Sequence, residues 1–283
     1  MLPTPDTSHI STSLVYDPVE DSYLLLDTFS SASETVFLRN HFFPPAAVST
    51  HSAASSSTRT AHATPPIPLV LELGSGSGVV TAFLASNAQH IFGGPVLCSC
   101  TDLNPHACRA SAETVQRELS RKHNERGEAD ERGGEGLFLG VCTADLEGPW
   151  TGGIVDVLVF NPPYVPTPDL PSRPESMGDP FSREEKDRTA DFEEEEYYLG
   201  LAYAGGADGM EVTNRLIERL PDILSARGCA YIVLCAQNHP EEVKQRIRGM
   251  APEWRAETVG SSGKTAGWEK LQIMRAWRER GSS

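Results

Sequence analysis

The sequence predicts an α/β fold, a mainly parallel sheet with helices on both faces. Three observations carry that prediction. Short unbroken apolar runs of strand length recur along the chain, as in Leu69-Val70-Leu71 and Val155 to Phe160. Segments of helical pattern lie between them. A glycine turn, Gly74 to Gly78, joins the first run to the first helix after it. A strand buried on both faces needs apolar side chains at every position, so unbroken runs alternating with helices point to a parallel sheet rather than a half-wet one.

Each element has its own signal. Asp17-Pro18-Val19-Glu20 predicts a helix start, with Asp17 as capping carboxylate, Pro18 in the first turn and Glu20 three residues after the cap. Leu24, Leu25, Leu26 and Phe29 form its apolar face. Leu69 to Leu71 is a buried strand and Val79 to Ser86 a helix. Val96-Leu97-Cys98 is a second strand, followed by a helix starting near Asn104-Pro105. Leu137 to Cys142 and Val155 to Phe160 are two more strands. A helix over Glu211 to Leu224, a strand over Tyr231 to Cys235 and a helix over Pro240 to Arg248 come next. Strands near Arg255 to Val259 and Leu271 to Ala276 close the chain.

Residues 1–14 read as an N-terminal tail and 15–283 as a single domain carrying insertions at about 44–68, 121–136 and 169–196. The first is rich in Ser, Thr, Ala and Pro and reads as a flexible loop. The second is charged and glycine-rich. The third holds 11 acidic residues against four basic ones and ends in Glu193 to Glu196, which reads as a solvated acidic loop. A docking surface for a basic partner is the sharper alternative.

Charge and composition exclude several classes. With 24 Lys and Arg against 39 Asp and Glu, the net charge of −15 repels nucleic-acid phosphates, so protein or small-molecule substrates are favoured. No stretch approaches the roughly 20 apolar residues of a membrane helix, and Met1 to Ile10 has neither the basic start nor the apolar centre of a secretory signal. A soluble cytoplasmic protein, with a nuclear pool as a further option, is the expectation. The six cysteines show no paired spacing and lie in apolar runs, which predicts buried reduced thiols and no metal site.

Glu72-Leu73-Gly74-Ser75-Gly76-Ser77-Gly78 sits at a strand-to-helix junction. Glycines there permit positive φ and close approach of a ligand to backbone, above a helix N-terminus with free N–H groups. The dinucleotide fingerprint would put its third glycine at position 79, where Val79 stands. That departure disfavours NAD and FAD. Asp102, just past the next strand, is placed to accept ribose hydroxyls, and Asp145-Leu146, past the one after, to meet an adenine edge. Each Asp alone reads as a loop cap. Three such features on one rim of a sheet point to a nucleoside cofactor without a pyrophosphate.

Val157 to Phe160 leads into Asn161-Pro162-Pro163-Tyr164. A carboxamide or aromatic amino nitrogen is a poor nucleophile because its lone pair is delocalised. The Asn161 side-chain oxygen and the Pro162 carbonyl are two acceptors that can hold both N–H hydrogens while the nitrogen faces an electrophilic methyl group. The prolines stiffen the backbone and remove competing donors. Tyr164 is expected to stack on the flat substrate group, near a cationic sulfonium.

At these residues the chain resembles the HemK-like S-adenosylmethionine-dependent methyltransferases, specifically the eukaryotic release-factor glutamine methyltransferases. The resemblance rests on Val15 to Ser22, Glu72 to Gly78, Thr101 to Pro105, Asn161 to Tyr164 and Ala204-Gly205-Gly206-Ala207-Asp208-Gly209. It implies a Rossmann-like seven-stranded methyltransferase sheet, mostly parallel with one antiparallel strand. It implies S-adenosyl-L-methionine as cofactor, held by Ser22, Glu72, Gly74, Gly76, Gly78, Asp102, Asp145, Leu146 and Asn161, with Asn161, Pro162 and Tyr164 as catalytic residues. The implied reaction is N5-methylation of glutamine in the Gly-Gly-Gln motif of the class I translation termination factor. Related enzymes have been proposed to act on adenine in DNA or on lysine, and an inactive scaffold of the same fold is a further alternative.

In the implied sheet the strand 137–142 lies at an edge, where apolar residues beside unpaired backbone groups are an aggregation hazard. The chain's own insertion at 121–136 is one possible cover. The resemblance implies another, a small zinc-binding activator subunit that adds a strand there.

Overall fold

The computed structural model describes residues 2–44, 66–126, 135–150, 152–175, 177, 188–263 and 270–279. Seven strands are built: β1 Leu69–Leu73, β2 Leu97–Asp102, β3 Leu137–Thr143, β4 Val155–Phe160, β5 Leu224–Cys235, β6 Trp254–Ser261 and β7 Leu271–Arg278. They form one sheet in the order β3-β2-β1-β4-β5-β7-β6. β1 to β5 run parallel, and β7 lies antiparallel between β5 and β6.

Eight α-helices are described: α1 Glu20–Ser30, α2 Ala32–Phe42, α3 Val79–Ser86, α4 Ala88–Phe92, α5 Pro105–Arg126, α6 Arg188–Tyr203, α7 Glu211–Ile223 and α8 Pro240–Arg248. Strand residues alternate between the two faces, which builds two cores. Cys229, Tyr231 and Val233 of β5 pack with Phe29, Phe42, Phe83 and Phe92. The intervening Ala230, Ile232 and Leu234 pack with Leu216, Leu220 and Ile247. All six cysteines are free thiols, five of them buried. Among the described residues no helix is long and apolar enough to cross a membrane.

Several sequence expectations are corrected. The first helix begins at Glu20 rather than in the Asp17-Pro18 turn, because Val19 stays extended at φ −124° and ψ −158° and caps it without a side-chain bond. A β-branched residue favours that extended backbone. The acidic run Glu193 to Glu196 lies inside α6, not in a loop. Glutamate is a good helix former, and Tyr198 and Leu201, which follow the run, turn towards the sheet's ligand rim. Helix α5 continues through Arg126 into the second insertion, braced by Arg121 to Glu118 and to Glu125. Helices α2 and α4 had no sequence expectation. Ser31 announces α2, its Oγ accepting from the Glu34 N–H at 3.3 Å. Residues 45–65 and 127–134 lie outside the described residues, as does part of 169–196.

The N-terminal segment lies along α5: Asn104 Nδ2 donates to the Leu14 carbonyl at 2.6 Å, and Thr114 Oγ1 meets His9 Nε2 at 3.2 Å.

One buried polar cluster joins α2 to the sheet. Glu34 Oε2 accepts from Tyr231 Oη at 2.8 Å and from Arg275 Nη1 at 2.6 Å, and the Arg275 guanidinium lies 3.5 Å from the Phe37 ring centroid. Both charged side chains are almost wholly buried. Glu34→Ala strands a buried guanidinium with only Glu257 opposite. We expect it to cost about 3 kcal/mol in urea unfolding; a loss below about 1 kcal/mol would show that the pair is not structural.

Candidate active site

The carboxyl ends of β1, β2 and β4 open into a cavity of about 310 Å³. Its floor is the glycine turn. Gly74, Gly76 and Gly78 have φ of 60°, 51° and 75°, a region that side chains other than glycine's resist. Gly78 is constrained twice, since a Cβ there would lie 2.5 Å from Ser111 Cα of α5. Ser111 Oγ in turn donates to Ser75 Oγ at 2.8 Å and to the Gly76 carbonyl at 3.0 Å, so α5 moulds the turn from behind.

Asp102 joins the turn to the next strand. Its Oδ2 accepts from the Gly76 N–H at 2.9 Å and its Oδ1 from the Asn104 N–H at 2.8 Å, while the residue lines the cavity. Burial raises its carboxyl to about 6, against the opposing pull of the Gly76, Asn104 and Leu103 amides. Glu72, at the end of β1, is buried and also lines the cavity. Its Oε2 accepts from the Thr81 N–H at 2.9 Å and from the Thr81 hydroxyl, which ties the strand to α3. Burial raises this carboxyl to about 8.

Ser22 lines the cavity with its hydroxyl donating to Asp21 Oδ1 at 3.2 Å. Leu146 lines it with φ 52°, a strained value for a leucine, held by Thr101 Oγ1 donating to the Leu146 carbonyl at 2.6 Å. Asp145 lines it too, with its carboxylate bridged to Arg215 at 2.5 Å.

The Asn161 corner is the most telling part. Asn161 lines the cavity, and its side-chain Oδ1 is buried with no hydrogen-bond partner. Buried carbonyl-type oxygens are almost always satisfied, so an orphan beside a cavity marks a place where a donor is meant to arrive. Pro163 lines the cavity; Pro162 is buried behind it. Tyr164, expected to stack on the flat substrate group, is instead turned to α1. Its hydroxyl donates to Asp21 Oδ2 at 3.2 Å, its ring packs on the core, and it is outside the cavity lining. The acceptor that Asp21 offers at the first turn of α1 draws it there.

Sequence reasoning missed the aromatic side of the cavity: Phe160, Tyr197, Tyr198 and Leu201. The last three sit on α6 just past the insertion read as a loop, and the Tyr-Tyr pair after the glutamate run was the available signal. His106 of α5 packs edge-on against Tyr198, with ring centroids 5.4 Å apart, and its Nε2 lies 3.4 Å from Glu194.

No family model matches the chain. It is 32% identical to the methyltransferase HEMK2 of Mus musculus over 282 residues, covering 97% of this chain and 96% of that one. The chain belongs to the HEMK2 methyltransferases. It is 31% identical to the eRF1 methyltransferase catalytic subunit mtq2 of Schizosaccharomyces pombe, covering 98% of this chain and 96% of that one. A putative protein N5-glutamine methyltransferase of Methanocaldococcus jannaschii is 27% identical over 210 residues, 74% of this chain and 81% of that one. The sheet order and its antiparallel β7 are those of class I methyltransferases.

The residues present fit the cofactor such a family uses. Positive-φ glycines leave backbone open to a ligand, the buried Glu72 and the partly buried Asp102 face the same cavity, and an orphan acceptor lies beside them. Because burial raises both carboxyl pKa values, the folded ligand-free chain holds protons that the unfolded chain releases. That stability is full below the ordinary values of 3.8 and 4.5 and is lost as pH rises through about 6 and about 8. Glu72→Gln removes the wider window. Melting temperature followed from about pH 5 to 8 should fall less steeply in the variant than in the native chain, and equal slopes would refute the assignment.

Proposed function

We propose that this chain is an S-adenosylmethionine-dependent methyltransferase that N5-methylates the glutamine of the Gly-Gly-Gln motif in the class I translation termination factor. The observation that carries this reading is the buried, unpartnered Oδ1 of Asn161 beside the glycine turn. Family membership supports the chemistry, and the name of the fission-yeast relative supports the substrate. The net charge of −15 favours a protein substrate over DNA.

Glu72 and Gly74 would hold the methionine part of the cofactor, Ser22 a neighbouring group, Asp102 the ribose, and Asp145 with Leu146 the adenine. S-adenosylmethionine supplies an electrophilic methyl carbon on a cationic sulfur. Asn161 Oδ1 accepts one N–H of the substrate carboxamide and the Pro162 carbonyl the other. Both contacts strengthen as the amide nitrogen becomes positive, which is where acceptors assist the reaction. No base is required before attack, because the nitrogen becomes acidic only after it has gained the methyl group, and water can take the proton then. Tyr197, Tyr198 and Leu201 of α6 exclude water from that side of the cavity.

A second subunit follows from the same reading. Among the described residues β3 is an edge strand paired only with β2, and its Leu137 and Leu139 are 61% and 46% exposed, which is far too open for an unpaired apolar edge. The fission-yeast relative is named a catalytic subunit. A small zinc-binding activator adding a strand along 137–142 would bury both leucines. Translation termination places the enzyme in the cytoplasm, with a nuclear pool if it has further substrates.

Incubation with labelled cofactor and termination factor, read by mass spectrometry, should place one methyl group on the glutamine of the Gly-Gly-Gln peptide. Asn161→Ala should lower that rate on the order of 10²- to 10³-fold. Label found only on DNA would replace this reading with adenine methylation. Co-expression with the activator should raise the soluble yield of the chain, and full solubility and activity of the chain alone would remove the second subunit from the account.

A further inference from the structure

The Asn161 corner cannot hold itself in place. Pro162 and Pro163 have no N–H, so two successive residues contribute no donor to any local turn. Just past the prolines, the Tyr164 carbonyl and the Val165 amide anchor the corner. Both are bound from outside. Val165 N–H donates to the Tyr203 carbonyl at 3.0 Å, and Gly205 N–H returns to the Val165 carbonyl at 2.9 Å. The Tyr164 carbonyl is taken by Asn238.

We infer that Asn238 is a positioning residue for the methyl-transfer corner, acting with the glycine loop 205–209. Asn238 follows β5 and is 1% exposed. Its Oδ1 accepts from the Cys235 N–H at 2.8 Å, which fixes the side chain to the end of the strand. Its Nδ2 donates to the Tyr164 carbonyl and to the Asp208 carbonyl, both at 3.1 Å, with the Gly209 carbonyl at 3.5 Å. An amide has two N–H groups and one oxygen with which to do this, and all three are committed. One side chain thus joins three segments: strand end, corner and glycine loop.

The loop closes on the corner from the other side. A Cβ at Gly209 would lie 2.0 Å from the Tyr164 carbonyl oxygen, and one at Gly205 2.5 Å from the Pro163 carbonyl oxygen. Only glycine lets this loop pack directly on those carbonyls. Asp208 between them has φ 55°, the left-handed backbone that presents its carbonyl to Asn238. That conformation is strained for a residue with a side chain, and the Asn238 bond offsets the strain. None of these groups lines the cavity; they set where Asn161 and Pro163 stand in it.

This inference rests on the amide-methylating reading of the Asn161 corner, and its test separates the two. In the full chain, Asn238→Ala and Gly209→Ala are compared with Ile247→Val, a buried change on α8 away from the corner. Both corner variants should lose on the order of 10²-fold in kcat, as a displacement near 1 Å would cause. Their affinity for S-adenosylhomocysteine should stay within about threefold of native, and Ile247→Val should leave both quantities at native levels. Crystal structures of the variants with S-adenosylhomocysteine should show Asn161 displaced and the turn 74–78 unmoved. A kcat within about threefold of native, an equal fall in kcat and in affinity, an unmoved Asn161, or failure of both variants to fold would each overturn the inference. If the native chain labels no Gly-Gly-Gln peptide, the substrate reading fails, while the crystallographic position of Asn161 still tests Asn238.

Discussion

An unpaired buried oxygen is expensive, on the order of 1–3 kcal/mol, and the site is organised around one. The Asn161 Oδ1 has no partner within the described chain. The corner after it is stiffened by two prolines and bound at the Tyr164 carbonyl and the Val165 amide. Rigidity maintained from outside keeps the acceptor aimed and unsatisfied. In the proposed reaction a substrate carboxamide brings the N–H that the protein withholds.

The opposite side of the cavity follows the same logic with carboxylates. Glu72 is buried and Asp102 partly buried, and each is committed to backbone or hydroxyl donors of the glycine turn and α3. Those bonds hold the turn at positive φ, and burial keeps both carboxyls protonated to higher pH than usual. A cationic or hydroxyl-bearing ligand would relieve that burial. Turn and corner are both preformed, so little ordering remains for binding, and preorganised polar groups are where methyl transfer gains its rate.

Helix α6 connects the site to the surface. In its glutamate run Glu196 is exposed and Glu194 is buried, while Tyr197, Tyr198 and Leu201 line the cavity. Glu194 and His106 link it to α5, and Arg215 with Asp145 links the rim of the cavity to α7. The segment that departs most in composition from its surroundings therefore supplies an apolar wall of the pocket.

The sequence by itself determined the sheet, the turn and the corner, because these are written locally. A strand buried on both faces must be apolar throughout, a positive-φ turn must use glycine, and a donor-free corner must use proline. It could not place α2, α4 or α6, whose composition is polar and whose helicity depends on surfaces they pack against, as Leu38 and Phe42 do on the core. Nor could it orient Tyr164, because Asp21 is 143 positions away and only folding brings that carboxylate to its hydroxyl. Asn238 was invisible for the same reason: only its Cys235 partner is near it in the chain, and the Tyr164 and Asp208 carbonyls it also holds come from two other segments. Residue type and spacing fix what local backbone geometry demands, whereas contacts between distant segments exist only once the sheet has brought them together.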